Sequence, residues 1–355
     1  MTDENLFFSP QSKWTQARDE APQIVISSRV RLARNLANTP FPNRLRQEQA
    51  EMVLSKIKTA FADLYSYRFF ALKDLPKEKQ QLLAAKHLIS PLLIEQSAIA
   101  AFAVNEDEST LAMINEEDHL RLQALLPGLQ LTRACKLAFA LDDALEAKLN
   151  FAFDESLGYL SACPSNLGTG LRASVMLHLP ALVLSKQQQE VFNSLPHLGL
   201  TVRGLYGEGT EARGNLFQIS NQTTLGNSEQ DLIKHLEDIT SRIIMQEKQM
   251  RSFLIEKHPD YLEDNIWRSF AILRYARRIS GEEMAERLSL LRLGIDLGMI
   301  KNLSGEAVSK LLLAGSAPFI QAQSAQKLSP EGVDTERATL LRKKLLSLKV
   351  GDLDE

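Results

Sequence analysis

Apolar residues recur along the chain at two different periods, and the change of period divides it. Between Gln23 and Gly226 short apolar runs alternate with stretches of helical spacing. Ile24-Val-Ile26, Ile99–Val104, Thr110–Ile114, Leu200-Thr-Val202 and Asn215–Ile219 read as strands, being short and bounded by turn formers. The polar run Asn105-Glu-Asp-Glu108 between the second and third of them predicts an antiparallel hairpin. Helices are expected near 46–62, 117–126, 131–150 and 185–195. From Ser228 onward the spacing is three to four: Leu232, Leu236, Ile239, Ile243, Met250 and Leu254 predict one long amphipathic helix over 228–256. Beyond it, 262–278, 282–290, 291–301, 306–314 and 335–348 all predict helix, broken by Gly281, Gly305, Gly315 and Pro330, and no strand is expected. The fold class this implies is α+β. A polar lead-in over 1–23 precedes a mixed domain over 24–255, and an all-helical domain follows over 256–355.

Length agrees with that division, since 355 residues at roughly 150 per domain suggest about two domains. Charge narrows the function classes. With 41 basic and 44 acidic residues the net charge is −3, which argues against a dedicated nucleic-acid binder. Within that balance the first 46 residues carry Arg18, Arg29, Arg31, Arg34, Arg44 and Arg46 against one lysine, Lys13. Arginine in place of lysine favours two-pronged recognition of phosphate or carboxylate. No apolar run approaches the ~20 residues of a membrane span. The acidic start, Met-Thr-Asp-Glu-Asn5, is unlike a signal peptide. Cys135 and Cys163 are too few for a disulfide framework and lack metal-ligand spacing, so a soluble cytoplasmic protein without a protein-held metal is expected.

Four segments carry candidate chemistry. Strand alternation at Ser27-Ser-Arg29-Val-Arg31 puts both arginines on one face, as a phosphate clamp or a solvated edge. Asn115-Glu-Glu117-Asp-His119-Leu-Arg121 gathers three carboxylates, a histidine and an arginine, a pattern that a helix N-terminus also favours. Cys163 opens a loop in which Gly168 and Gly170 flank Thr169, suggesting backbone close to a ligand. Arg203 ends an apolar strand and leads into Gly207-Glu208-Gly209. Gly170 is followed by Leu171-Arg172, so no Walker lysine is present and a triphosphate would need another holder.

In their order and wording these segments resemble the guanidino (phosphagen) kinase family, which moves the γ-phosphoryl group of ATP onto a guanidinium nitrogen. The similarity is greatest to its bacterial protein-arginine kinase branch. It rests on Ser27–Asn35, Lys86–Pro91, Gly170–Leu184, Arg203–Gly209, Gln218–Gln222 and Arg292–Gly298, and runs from about Ile24 to the C-terminus. Small-molecule members of the family carry a helical domain ahead of the arginine clamp. With 23 residues before Ile24 the resemblance implies that this domain is missing and that the extra helical domain lies behind the catalytic one.

The resemblance implies a mainly antiparallel sheet flanked by helices and assigns roles. Arg29, Arg31, Arg121, Arg172 and Arg203 would surround the phosphates of ATP, and Mg²⁺ would be held mainly by those phosphates. Further nucleotide contacts would come from Ser27, Ser28, Val30, His87, Ala173, Ser174, Val175 and Met176, and from Gly204, Leu205, Tyr206, Gly207 and Glu208. Glu117 would be the base, Glu208 a second carboxylate on the acceptor guanidinium, and Cys163, as a thiolate, its neighbour. Asp334, Arg337 and Ala338 match a regulatory phosphoarginine-binding motif whose first arginine is replaced by Val333; a helix cap at Asp334 explains the same residues. The implied partners are protein substrates, a zinc-containing activator, a Clp chaperone-protease and a heat-shock repressor, and a homodimer is possible. A kinase of a small guanidino metabolite and a non-catalytic phosphoarginine-binding adaptor are the competing expectations.

Overall fold

The computed structural model describes residues 3–16, 24–204 and 213–346, with side chains from Leu6 onward. The helices are α1 (Asp3–Phe8), α2 (Gln47–Phe61), α3 (Lys77–Ala85), α4 (Pro91–Glu95), α5 (Leu131–Glu146), α6 (Pro180–Leu184) and α7 (Gln188–Ser194). After them come α8 (Glu229–Lys257), α9 (Pro259–Tyr275), α10 (Gly281–Asp296), α11 (Gly305–Ala314), α12 (Ala317–Ala322) and α13 (Pro330–Leu346). The strands are β1 (Val25–Arg34), β2 (Tyr67–Ala71), β3 (Ala101–Asn105), β4 (Thr110–Ile114), β5 (Leu120–Pro127), β6 (Phe153–Asp154), β7 (Gly158–Tyr159), β8 (Leu171–His178), β9 (Leu200–Gly204) and β10 (Leu216–Asn221). Eight strands form one antiparallel sheet in the order β2-β3-β4-β5-β1-β8-β10-β9, and β6 and β7 form a separate hairpin.

The period of two along the central strands gives the sheet two unlike faces. Val30 and Leu32 of β1, Leu122 and Ala124 of β5, and Ala173 and Val175 of β8 point to one side, where α2, α5 and α8 cover them. Fully burying one such aliphatic chain contributes ~1.5–3 kcal/mol. A slip of one residue would exchange these side chains for Arg29, Arg31, Arg121 and Arg172, so burial on one side fixes the register on both. The opposite face is split. Its β2–β4 end is apolar and lies under α1, α3 and α4 through Phe7, Leu83, Leu93, Phe102 and Met113. Its β5–β9 end is polar apart from a small apolar cluster of Ile26, Leu125, Met176 and Leu216 around Trp14.

The 105–108 turn joins β3 to β4 as expected, with Asn105 Oδ1 accepting from the Thr110 amide at 3.0 Å. The helix starts at 229, 281 and 305 follow side-chain caps: Ser228, Ser280 and Ser304 accept from the amides of Asp231, Glu283 and Ala307. Two expectations are corrected. Residues 117–126 are not helical but form a tight turn and β5, because Leu120, Leu122, Ala124 and Leu126 alternate onto the core face. Residues 282–301 hold one helix, α10, rather than two; Gly294 lies inside it because a Cβ there would meet Ile266 Cγ2 at 2.5 Å. Strands β2 and β8 and the β6–β7 hairpin were not expected from the sequence.

The helices after α8 pack around Leu262, Ile266, Leu273, Leu291 and Leu341. They are joined to the sheet by buried polar groups. Glu247 of α8 accepts from the Ala181 and Leu182 amides and from Arg251, whose other nitrogen reaches Asp296 of α10 at 3.1 Å. His178 at the end of β8 bonds Ser289 of α10 at 2.8 Å, and Asn215 donates to the same hydroxyl. None of the described helices is long and apolar enough to cross a membrane.

Candidate active site

The polar end of the sheet is a field of arginines set by strand register. Arg31 on β1 faces Arg172 on β8 and Gln123 on β5; two residues on, Ala33 faces Arg121, and Arg29 faces Ser174. Gln218 of β10 stands between Met176 of β8 and Arg203 of β9. Directly opposed residues share a face, so the period of two gathers arginines that lie far apart in sequence. Arg29 donates to Gln218 Oε1 at 2.6 Å. Burial first, and then Arg121 and Arg172, pull its pKa down to about 10. Arg31 is held well below the usual arginine value by burial and then by Arg29, Arg121 and Arg172. The Nε atoms of Arg31 and Arg172 are buried and have no hydrogen-bond partner among the described residues. Unsatisfied buried donors are costly, so this face is built to receive an anion rich in acceptors.

The carboxylates stand at its edge, in the turn between β4 and β5. That turn closes through the Asn115 amide on the His119 carbonyl and the Glu116 amide on the Asp118 carbonyl. Arg121 spreads its fork over two of them, reaching Glu116 at 2.6 Å and Glu117 at 3.0 Å. Glu116 is buried and also receives Ser90 Oγ, whereas the side chain of Glu117 is 36% exposed. Asp118 is turned away from the arginines. Its carboxylate accepts from Asn35, from Ser161 Oγ and from the Ala162 amide, fastening the turn to the segment that carries Cys163. The reading of these acids as complements to a helix dipole does not apply, since no helix starts there.

Cys163 is half-buried, with Sγ 3.0 Å from Ser165 Oγ. It and Glu117 act electrostatically on Arg172, whose pKa is lowered by burial first, then by Arg203 and Arg121, and drawn back up by this pair. The glycines beyond it answer to chain packing rather than to a ligand. At Gly170, with φ +67°, a Cβ would meet the Ala33 carbonyl at 2.7 Å, and at Gly168 it would meet Leu225 Cα at 2.9 Å. The loop is clamped by Arg34, which is fully buried, pairs with Asp142 at 2.6 Å, donates to the Thr169 carbonyl and lies 3.5 Å over the Tyr159 ring.

His87 borders the same face with its ring beside Trp14, and its pKa falls to about 4 through burial and then Arg29, so it is neutral at pH 7. Trp14, His87, Ser27, Arg29, Leu125, Ser174, Met176 and Gln218 line a small cleft on this face. Of the expected nucleotide contacts, Ser27, Arg29, Arg31, His87, Arg121, Arg172, Ser174, Met176 and Arg203 thus share one face. Val30, Ala173 and Val175 point into the core, and Ser28 is spent on the Gly128 carbonyl and the Gln130 amide. Gly204 ends β9 opposite Phe217. Leu205, Tyr206, Gly207 and Glu208 lie outside the described residues. Far from this face, Arg337 is 3% exposed and donates to the Gly315 and Ile279 carbonyls and to Asp334, while Ala338 is buried in the helical core. Sequence reasoning assigned no role to Trp14, Gln123 or Gln218; the pairing of distant strands brings Gln123 and Gln218 to this face, and Trp14 reaches it from the 13–15 turn outside the sheet.

Comparison with known proteins bears on all of this. Residues 48–250 match the family described as ATP:guanido phosphotransferase, C-terminal catalytic domain. Residues 259–354 match the one described as Protein-arginine kinase McsB C-terminal domain. The chain is 45% identical over 350 residues to the Protein-arginine kinase of Brevibacillus brevis, covering 97% of this chain and 98% of that protein. It is 46% identical over 351 residues to the Protein-arginine kinase of Geobacillus thermodenitrificans, covering 97% and 96%. Among solved structures, lombricine kinase is similar with TM-score 0.57 and 27% identity over 69% of this chain and 71% of its own. The duplicated taurocyamine kinase of Schistosoma mansoni, with bound transition state analog components, gives TM-score 0.58 and 27% identity. There the match covers 71% of this chain and 37% of that longer one.

Proposed function

The chain belongs to the ATP:guanido phosphotransferase family, in its protein-arginine kinase branch, and on that footing we propose how its residues phosphorylate arginine side chains of proteins. The carrying observation is the arginine face itself, cationic, partly unsatisfied and bordered by Glu117 and Cys163. Arg29, Arg31, Arg121, Arg172 and Arg203 hold the triphosphate of ATP, and the cleft beside His87 receives the nucleoside. A cage of fixed guanidinium groups does the work of a Walker lysine, stabilising the charge that spreads over the γ-phosphoryl oxygens during transfer.

The acceptor guanidinium is protonated at pH 7 and is not nucleophilic as it arrives. In this reading Glu117 orients it and takes a proton from the attacking nitrogen. The N–P bond forms as the bond from Pγ to the β–γ bridging oxygen breaks, and ADP leaves with that oxygen. Cys163 flanks the same guanidinium, and Glu208 supplies the second carboxylate. Mg²⁺ neutralises phosphate charge when it accompanies the nucleotide. In this reading the cation is held mainly by the phosphates and water.

We carry the domain limits, 24–255 catalytic and 256–355 helical, in the same reading. The resemblance extends it to protein quality control, with Clp proteases, an activator and a repressor as partners. A regulatory phosphoarginine at Asp334 and Arg337 would share Arg337 with the two carbonyls it already holds. The test of the central proposal is to incubate the protein with ATP, Mg²⁺ and an arginine-rich protein. Acid-labile phosphate on arginine, located by mass spectrometry, is the expected product; its absence from a folded, ATP-binding preparation overturns the proposal.

A further inference from the structure

We propose that Trp14 is a positioning residue of the nucleotide cleft: it holds the His87 ring against the cleft wall and ties that wall to the helical part of the chain. The proposal rests on the reading of the cleft given above. Trp14 lies in the lead-in that the sequence marks only as polar, yet it is 3% exposed. Its turn closes on itself through Ser12 and Thr15, which exchange hydrogen bonds at 3.1 and 2.8 Å. The indole donates to the carbonyl of Lys86, the residue before His87, at 3.0 Å. Lys86 is itself fixed, with Nζ on Glu108 at 2.6 Å and on the Leu6 carbonyl at 2.8 Å. The Trp14 and His87 rings then meet at 5.4 Å and 56°.

The backbone shows why His87 needs a holder. Helix α3 ends with the His87 amide on the Ala84 carbonyl and the Leu88 amide on the Leu83 carbonyl, and His87 takes the left-handed position with φ 60°. That position normally belongs to glycine, so a histidine there is strained and points to a use for its ring. On its far side Trp14 packs with Ile26, Leu125 and Leu216 and against Leu312 of α11. There it lines a second, small cavity of about 30 Å³, together with Ser289 and Arg292 of α10. One side chain therefore borders both the cleft and the seam between sheet and helices.

The experiment compares wild-type protein with Trp14→Leu, Trp14→Phe and Leu312→Ala, measuring KM for ATP, kcat on a protein acceptor and calorimetric Kd for MgADP. An aromatic contact of this kind implies that Trp14→Leu raises KM and Kd about three- to tenfold, with kcat at saturating ATP changed less. Trp14→Phe restores most of the loss, and Leu312→Ala shifts KM the same way by a smaller factor. Trp14 and Trp267 are the two tryptophans of the chain, so Trp267→Phe leaves Trp14 as its sole indole. Its emission is expected to change with MgADP and to saturate at the calorimetric Kd. A folded Trp14→Leu with wild-type KM, or an indole that stays silent while calorimetry shows ADP bound, overturns the proposal. An unshifted KM in Leu312→Ala overturns the tie to the helices. If Trp14→Leu does not fold, the emission and Leu312→Ala decide. A wild-type protein that binds no ADP would instead sink the reading of the cleft itself.

Discussion

Arg31 on β1 and Arg172 on β8 stand directly opposite each other on neighbouring strands, like charge facing like charge at the centre of the sheet. Such a pair is destabilising, by ~0.2–1 kcal/mol on the scale of cross-strand contacts. The unpartnered Nε of each adds to the cost. A fold keeps this arrangement when a bound anion offsets it.

The pair therefore predicts a trade between stability and affinity. Arg31→Met should raise the melting temperature of the nucleotide-free protein while weakening ATP binding severely. Saturating MgATP should stabilise the wild type by RT ln(1 + [L]/Kd), ~2.7 kcal/mol at a hundredfold excess over Kd. Thermal melts with and without nucleotide check both. A nucleotide-free Arg31→Met no more stable than wild type would mean that the charge pair is compensated within the protein.

Glu117→Gln retains shape and loses the proposed base. General-base removal costs ~10²–10⁴ in rate, so kcat should fall by that order while Kd for ATP stays near wild type. Single-turnover transfer to a protein acceptor measures the first and calorimetry the second. Wild-type turnover in the variant would move the base elsewhere.

Asp118 acts one step removed. Its carboxylate joins the Glu117 turn to the Ala162-Cys163 segment through Asn35, Ser161 and a backbone amide. Asp118→Ala leaves those donors unsatisfied at ~1–3 kcal/mol for a buried group, and it frees Cys163 relative to Glu117. A lower melting temperature is expected together with a fall in kcat, and with ATP affinity unchanged. Loss of ATP affinity instead would show that the fastening supports the phosphate cage.

The pH dependence of stability follows from the neutral His87. An unfolded histidine takes its proton near ~6.5, while the folded one takes it only around 4. The contribution is complete above the unfolded value and is lost as pH falls from ~6.5 toward the folded one, at ~1.4 kcal/mol per pH unit for one proton. His119 and His178, lowered by burial, add to the same slope. His87→Asn, whose side chain tolerates the left-handed backbone, should remove one proton from that slope. Urea melts between pH 4.5 and 6.5 read it directly; equal slopes would mean that His87 protonates freely in the folded protein.

How far the molecule was readable from its sequence depends on the range of the interaction. The common face of Arg29 and Arg31 was legible because strand alternation is local. The same alternation was present at Leu120, Leu122, Ala124 and Leu126. There the acidic residues ahead of it and the good helix formers within it made a helix equally plausible, and only pairing with β1 and β4 decided for a strand. Gly168 and Gly170 were read as backbone close to a ligand, but what approaches them is the chain's own backbone. The bond from Arg29 to Gln218 spans 189 positions, and Trp14 sits in a lead-in read as polar although its Leu6 and Phe7 are buried as well. No local pattern reports either contact.

The last prediction concerns which arginine is accepted. A kinase of free arginine must read the α-amine and α-carboxylate, and so needs groups that enclose the whole amino acid. Here the groups proposed for the acceptor side stand near the surface: the Glu117 side chain is 36% exposed and Cys163 is half-buried. A guanidinium projecting from an extended polypeptide can reach them, and its planar fork matches a carboxylate in two places. Lysine cannot make that fork and should not be modified. Arginines in an unstructured protein are therefore expected to be phosphorylated with much higher kcat/KM than free L-arginine. Side-by-side kinetics with the two acceptors at equal arginine concentration decide it. A preference for the free amino acid would leave the phosphate cage and Glu117 in place but make the enzyme a small-guanidine kinase.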